Sequence, residues 1–129
     1  MGTSINKTQS LYLKNNSGQN VTKGDCVVLD KTLASSFTLT GSSGYTLTQI
    51  GIVLDQTNIA SGQSCLVAIG GYVPVINLVT GASVGDNISL SAITKKSQSH
   101  NVQLVGDYGY TLNSGLTPDG VLFGHTFRS

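Results

Sequence analysis

The chain has 129 residues, 7 basic and 6 acidic side chains for a net charge of +1, and only 10% charged residues, less than half the usual share of about a quarter. That balance excludes the phosphate-neutralising surface that nucleic-acid binders carry, and no apolar run approaches the ~20 residues of a membrane span. Gly, Ser, Thr and Asn make up 55 residues, all six acids are Asp and Trp is absent; without Glu and with little Lys the best surface helix formers are missing, while Val, Ile, Thr and Tyr favour strands.

Met1 to Ser10 is polar, so no secretory signal is expected. Residues 1–9 read as a polar arm, followed by one β domain over 10–129. Ser10 to Lys14 alternates, with Leu11 and Leu13 on one face. Asn15-Asn16-Ser17-Gly18 is a turn cluster. Cys26 to Leu29 is a short run of buried type, Phe37 to Thr40 alternates, and Gly41 to Gly44 breaks the pattern. Ile50 to Leu54 and Cys65 to Ile69 are the next strands, with Gly70-Gly71 as punctuation. Tyr72 to Val79 is the longest apolar stretch; Pro74 cannot donate to a ladder, so this strand is expected at an edge or starting at the proline. Asn87 to Ser91 alternates, Lys95 to His100 reads as an exposed polar loop, and Val102 to Val105 reads as a strand. Thr111 to Asp119 is a second loop, and Pro118-Asp119-Gly120 is a turn that starts the last strand, Gly120 to Phe123. About nine short strands, with turn signals every ~8–12 residues, predict an all-β, single-domain β-barrel or β-sandwich.

One recurrence is visible. Lys23-Gly24-Asp25, Ser61-Gly62-Gln63 and Val84-Gly85-Asp86 each place a Gly and a polar residue ahead of a strand. Turn chemistry explains this, since Gly takes positive φ and Asp bonds the local backbone; a trace of duplicated β-units is the other reading.

Motifs that carry chemistry are scarce. Gly81-Ala82-Ser83-Val84-Gly85 fits G-x-S-x-G, and Asp86 or Asp107 and then His125 follow in hydrolase order. A nucleophile elbow needs a strand, a sharp turn and a helix, whereas Asn87-Ile88-Ser89-Leu90 reads as a strand, so no catalytic residues are assigned. Cys26, Cys65, His100 and His125 lack metal-ligand spacing. Both Cys sit in apolar strand runs and read as buried thiols, with a disulfide or a shared metal as lesser alternatives. The six Asp all fall at strand ends or in turns. Sequons at Asn6, Asn15, Asn20 and Asn87 read as by-products of an Asn/Ser/Thr-rich surface. Tyr72, Tyr108 and Tyr110 fit either core-edge positions or an aromatic platform for carbohydrate. No cofactor or metal is expected. A neutral, weakly charged surface of this kind suits a structural or binding module that sits against copies of itself or a partner.

The arrangement Val21-x-x-Gly24-Asp25-x-Val27-Val28-Leu29, Ile50-Gly51-Ile52-Val53-Leu54, Ile59-Ala60-x-Gly62-x-x-x-Leu66-Val67-Ala68-x-Gly70-x-x-Val73, Ala82-x-Val84-Gly85-Asp86 and Gly120-Val121-Leu122-Phe123-Gly124 resembles small β-rich structural proteins of tailed bacteriophages. It is similar to capsid decoration (cement) proteins and to head-fibre modules. The resemblance implies a non-enzymatic subunit, often a trimer, on the outer surface of the virion capsid. It implies the major capsid protein as partner, multivalent contacts that reinforce the shell, and neither nucleic acid nor membrane as target. Within the arm, Thr3, Ser4, Ile5, Asn6 and Lys7 are the candidate capsid- or neighbour-contact residues. A fibre or adhesin module recognising a host-surface glycan or protein is the alternative, with loops at 41–48, 95–100 and 111–119 as its candidate surface.

Overall fold

The computed structural model describes residues 7–30, 35–39, 50–55, 58–104 and 106–123. Nine strands run through them: β1 (Thr8–Asn15), β2 (Cys26–Leu29), β3 (Ser36–Thr38), β4 (Ile50–Val53), β5 (Ser64–Val73), β6 (Asn87–Leu90), β7 (Ser97–His100), β8 (Gly109–Thr111) and β9 (Gly120–Leu122). No helix among the described residues is long and apolar enough to cross a membrane.

The strands follow one another in the order β1-β3-β2-β4-β5-β9-β8-β6-β7, and β1 also pairs with β5. That extra pairing closes β1, β3, β2, β4 and β5 into a five-stranded barrel. The barrel is antiparallel except where Lys14 and Asn15 of β1 run parallel to Ser36 and Phe37 of β3. Beyond it, β9, β8, β6 and β7 form an antiparallel extension sheet attached to the far end of β5.

β5 belongs to both halves. Cys65 to Gly71 face β1, Val67 and Ala68 face β4, and Gly71 to Val73 face β9. The register with β1 skips Ile69, because Gln9 pairs with Gly70 and Ser10 with Ala68. An extra residue of this kind bends a strand, and here it turns β5 out of the barrel. Gly71 then takes φ +77, and a Cβ on it would lie 2.5 Å from the Lys7 carbonyl oxygen. The two glycines therefore bend one continuous strand where punctuation between two strands was expected.

Two cores result. Inside the barrel, Leu13, Val21, Val27, Phe37, Val53, Ile59, Cys65 and Val67 pack together. Between the barrel wall and the extension sheet lies a second core, in which Cys26, Val28, Ile50, Ile52 and Ala68 meet Val73, Ile76, Leu78, Ile88, Tyr108 and Leu122. β2 and β4 are thus buried on both faces. Strands in that position read as continuous apolar runs rather than alternations, which accounts for Cys-Val-Val-Leu and Ile-Gly-Ile-Val. Gly51 makes the inner layer fit: a Cβ there would lie 2.5 Å from Val67 Cγ1.

Three sequence expectations are corrected. Tyr72 to Val79 is not a strand of its own. β5 runs through Tyr72 to Val73 and stops at Pro74, which has no N–H to donate and holds the residue before it extended. Beyond it an irregular segment still buries Ile76 and Leu78. Val102 to Val105 was expected as a strand, but Val102 to Leu104 form none and Val102 and Leu104 are 62% and 54% exposed; Val105 lies outside the described residues. The strand lies just before, where Ser97–His100 was read as loop and instead zips onto β6 from Leu90–Ser97 to Asn87–His100. Ser91 holds that hairpin's loop, donating to the Lys96 carbonyl at 2.7 Å and accepting from Ile93 N–H at 3.1 Å. The arm boundary also moves: Thr8 and Gln9 pair with Gly71 and Gly70 in β1.

Candidate functional site

The recurrence seen in the sequence is one turn built repeatedly. Asp25 N–H donates to the Thr22 carbonyl at 3.0 Å, while Asp25 Oδ2 accepts from Thr22 N–H at 2.9 Å. Gln63 does the same with Ala60, at 3.0 and 2.9 Å. Asp86 does it with Ser83, at 3.1 and 2.9 Å. A fourth copy went unread: Asp107 N–H reaches the Leu104 carbonyl at 3.3 Å, and Asp107 Oδ2 accepts from Leu104 N–H at 2.7 Å. Between each pair sits a glycine at positive φ, namely Gly24 (92°), Gly62 (96°), Gly85 (82°) and Gly106 (103°). The side chain satisfies the donor that the turn would otherwise leave open. The turns lead into β2, β5, β6 and β8.

This explains the G-x-S-x-G match. Ser83 opens a turn whose carboxylate partner, Asp86, binds its backbone N–H, and the chain runs into β6. His125 lies outside the described residues.

Cys26 and Cys65 are buried free thiols, one in the inter-layer core and the other inside the barrel. Burial pushes both thiols up to about 11, so neither is a nucleophile near neutral pH. Cys26 Sγ lies 3.5 Å from Tyr108 Oη. That hydroxyl also hydrogen-bonds Ser97 Oγ and donates to the Ser89 carbonyl at 3.2 Å. Tyr108 is therefore a core residue that ties the barrel wall to the extension sheet, and it drops out of the aromatic platform. Asn77 makes a second tie, donating to Asp25 Oδ1 at 2.9 Å and to the Lys23 carbonyl at 3.2 Å. Of the sequons, Asn15 is fully buried, its amide donating to the Gln19 and Ile59 carbonyls. Among the described residues no group of three or more His, Cys, Asp or Glu is placed to hold a metal ion.

The other two tyrosines come together with residues the sequence did not single out. Pairing puts Tyr72 (β5), Val121 (β9), Tyr110 (β8), Asn87 (β6) and His100 (β7) in one cross-strand row. Directly paired residues share a face. The neighbouring row (Leu122, Gly109, Ile88) is buried against the barrel, so the tyrosine row faces outward. Phe123, 55% exposed, sets its ring 6.2 Å from that of Tyr110, tilted by 42°. At one end Tyr72 Oη donates to Asp119 Oδ2 at 3.0 Å and Asn113 Nδ2 donates to Asp119 Oδ1 at 2.6 Å. The bond to Asp119 raises the Tyr72 phenol above its usual value. At the other end His100 Nε2 lies 2.6 Å from Asp107 Oδ1. The row is not visible in the sequence, because it depends on register between strands distant in sequence.

Of the arm residues, Lys7 is exposed and its carbonyl accepts from Tyr72 N–H at 2.9 Å; Thr3, Ser4, Ile5 and Asn6 lie outside the described residues, as does the loop at 41–48. The loop at 111–119 contributes Asn113 and Asp119 to the row, and 95–100 is largely β7.

Barrel and outward sheet together define an all-β module in which the described residues bring together neither a hydrolytic triad nor a metal cluster. The fold is similar to that of a solved structure: the N base of the head fiber gp8.5 in bacteriophage phi29 matches at a TM-score of 0.58 and 13% identity, over 95% of this chain and 100% of that one. The resemblance to β-rich structural proteins of tailed phages thus holds at the level of fold. No protein-family model matches the chain, and no curated protein matches it in sequence.

Proposed function

We propose that this chain is a non-enzymatic structural protein of a tailed-phage virion, carried on the head. The observation that supports the reading is the end-to-end fold match to a head-fiber base, a module of the same size with nothing left over on that side. Within that class the chain acts as a decoration protein. It binds the outer surface of the shell through the major capsid protein, assembles as a trimer, and gains avidity from several modest contacts on one rigid body. Residues Thr3 to Lys7 are the arm that reaches the shell or a neighbouring subunit. A second reading, a head-fibre base that carries a longer appendage, is favoured by the matched structure, itself the N base of a head fiber.

Quantitative mass spectrometry of purified virions separates the two. Decoration predicts hundreds of copies in fixed ratio to the major capsid protein. A fibre base predicts copies in the low tens. Absence from virions overturns both.

A further inference from the structure

The outward row on the extension sheet carries more than sheet stability requires. Cross-strand aromatic and β-branched pairs stabilise a sheet, which accounts for Tyr110 beside Val121. It does not account for Asp119, whose carboxylate oxygens are each fixed by a neighbour, Tyr72 and Asn113, at the edge of an exposed aromatic strip. Nor does it account for an amide (Asn87) and an imidazole (His100) continuing the same strip on the far side.

The strip has the dimensions of a small elongated ligand. Five strands at ~4.8 Å spacing span about 20 Å, and a strip two residues deep covers on the order of 150 Å². That is far below the ~800 Å² per partner of a stable protein interface, so a second copy is poorly matched to it. Tyr72 and Tyr110 sit two strands apart, roughly 10 Å. Strands β5 to β9 contribute no Lys or Arg to the row; the nearest cation among the described residues is Lys7, whose carbonyl accepts from Tyr72 N–H, and the carboxylates of Asp119 and Asp107 flank the same face, so there is no excess of positive charge to attract a polyanion.

We propose that the face formed by Tyr72, Tyr110, Phe123, Asn87 and Asp119 binds a neutral oligosaccharide. A pyranose ring offers a C–H-rich face to an aromatic ring and hydroxyls at its rim. Tyr110 and Phe123 receive the ring face, while Asp119 and Asn87 bond the hydroxyls on either side. The fixed carboxylate needs no reordering when a hydroxyl donates to it. The proposal does not depend on where in the virion the chain resides.

The test is an amide-resolved NMR titration of the whole chain with three neutral probes, cellotetraose, maltotetraose and chitotetraose, each to about 10 mM. At least one probe is expected to shift amides of β8, β9 and the 111–119 loop, with a Kd of order 1 mM. Tyr110→Ala and Phe123→Ala should each weaken it about tenfold or more. Tyr12→Ala, which removes a tyrosine 67% exposed on the barrel, should leave it unchanged. Asp119→Asn, which keeps the shape, its oxygen accepting from Asn113 and its amide donating to Tyr72 Oη in reverse of the native bond, should weaken it while the amide spectrum stays that of the folded chain. No response to any probe overturns the proposal, as does a response that survives both aromatic changes. Self-association at NMR concentrations that Tyr110→Ala abolishes also overturns it, because the face would then belong to a second copy.

Discussion

Tyr108 places a phenol in the middle of an aliphatic core, and its hydroxyl is met by Ser97, Ser89 and the Cys26 thiol. Buried polar groups are costly unless paired, and this one joins barrel strand β2 to β6 and β7 of the extension. The sequence showed five tyrosines without telling which would be buried; Tyr108 follows an Asp-led turn and Tyr110 follows a glycine, and the two-residue step alone does not reveal which way either points. The thiols were more legible, because each Cys opens an apolar strand run, Cys26 to Leu29 and Cys65 to Ile69. Their burial has a consequence for pH. Desolvation raises both from 9.0 to about 11 in the folded chain, so the folded state holds these protons more tightly than the unfolded one. Their contribution to stability is complete below pH 9 and is lost as the pH rises toward 11. Thermal midpoints measured between pH 8 and 11 should therefore fall, and the doubly substituted Cys26→Ala, Cys65→Ala protein should show a shallower fall over the same window.

At the scale of elements, two kinds of glycine do different jobs and should fail differently. Gly85 sits at φ +82 with open space around it, whereas Gly109 has ordinary backbone angles but a Cβ there would lie 2.3 Å from the Val121 carbonyl oxygen. Gly85→Ala is expected to cost about 1 kcal/mol through backbone strain alone. Gly109→Ala must push β8 from β9 and is expected to cost about 2 kcal/mol or more. Urea denaturation of the two variants checks the order, and a larger loss for Gly85→Ala would contradict it. The strands buried on both faces, β2 and β4, were legible because apolar runs bounded by turns have few other uses. β7 was not, because Ser-Gln-Ser-His carries no hydrophobic signal and becomes a strand through its hairpin with β6. Val102 to Leu104 erred the other way: apolar residues without a partner strand stayed outside the sheet. The turns were legible as a recurrence in three copies of four; in the fourth, Asp107 read as a turn former, but its partner Leu104 fell in the segment taken for a strand.

For the molecule as a whole, closure is made by distant partners: β1 with β5, and β5 with β9. Ordering those loops precedes the contacts that reward it, so folding should be slow for the size, in the millisecond-to-second range typical of non-local β topologies. Stopped-flow refolding from urea measures this directly, and a microsecond phase carrying the full amplitude would contradict it. An all-β barrel or sandwich was readable from strand number and spacing; which of the two was not, because nothing near Thr8 in sequence announces the closing pairing with Gly71. That pairing has a mechanical side. Seven residues of β1, Thr8 to Lys14, are matched along β5, whose far end feeds both cores. A pull on the chain ahead of Thr8 along the strand axis loads these rungs together, in shear. A pull away from the sheet opens them one at a time. The module is therefore tough in one direction and weak in another, and the angle at which its leading segment is anchored decides which of the two it presents.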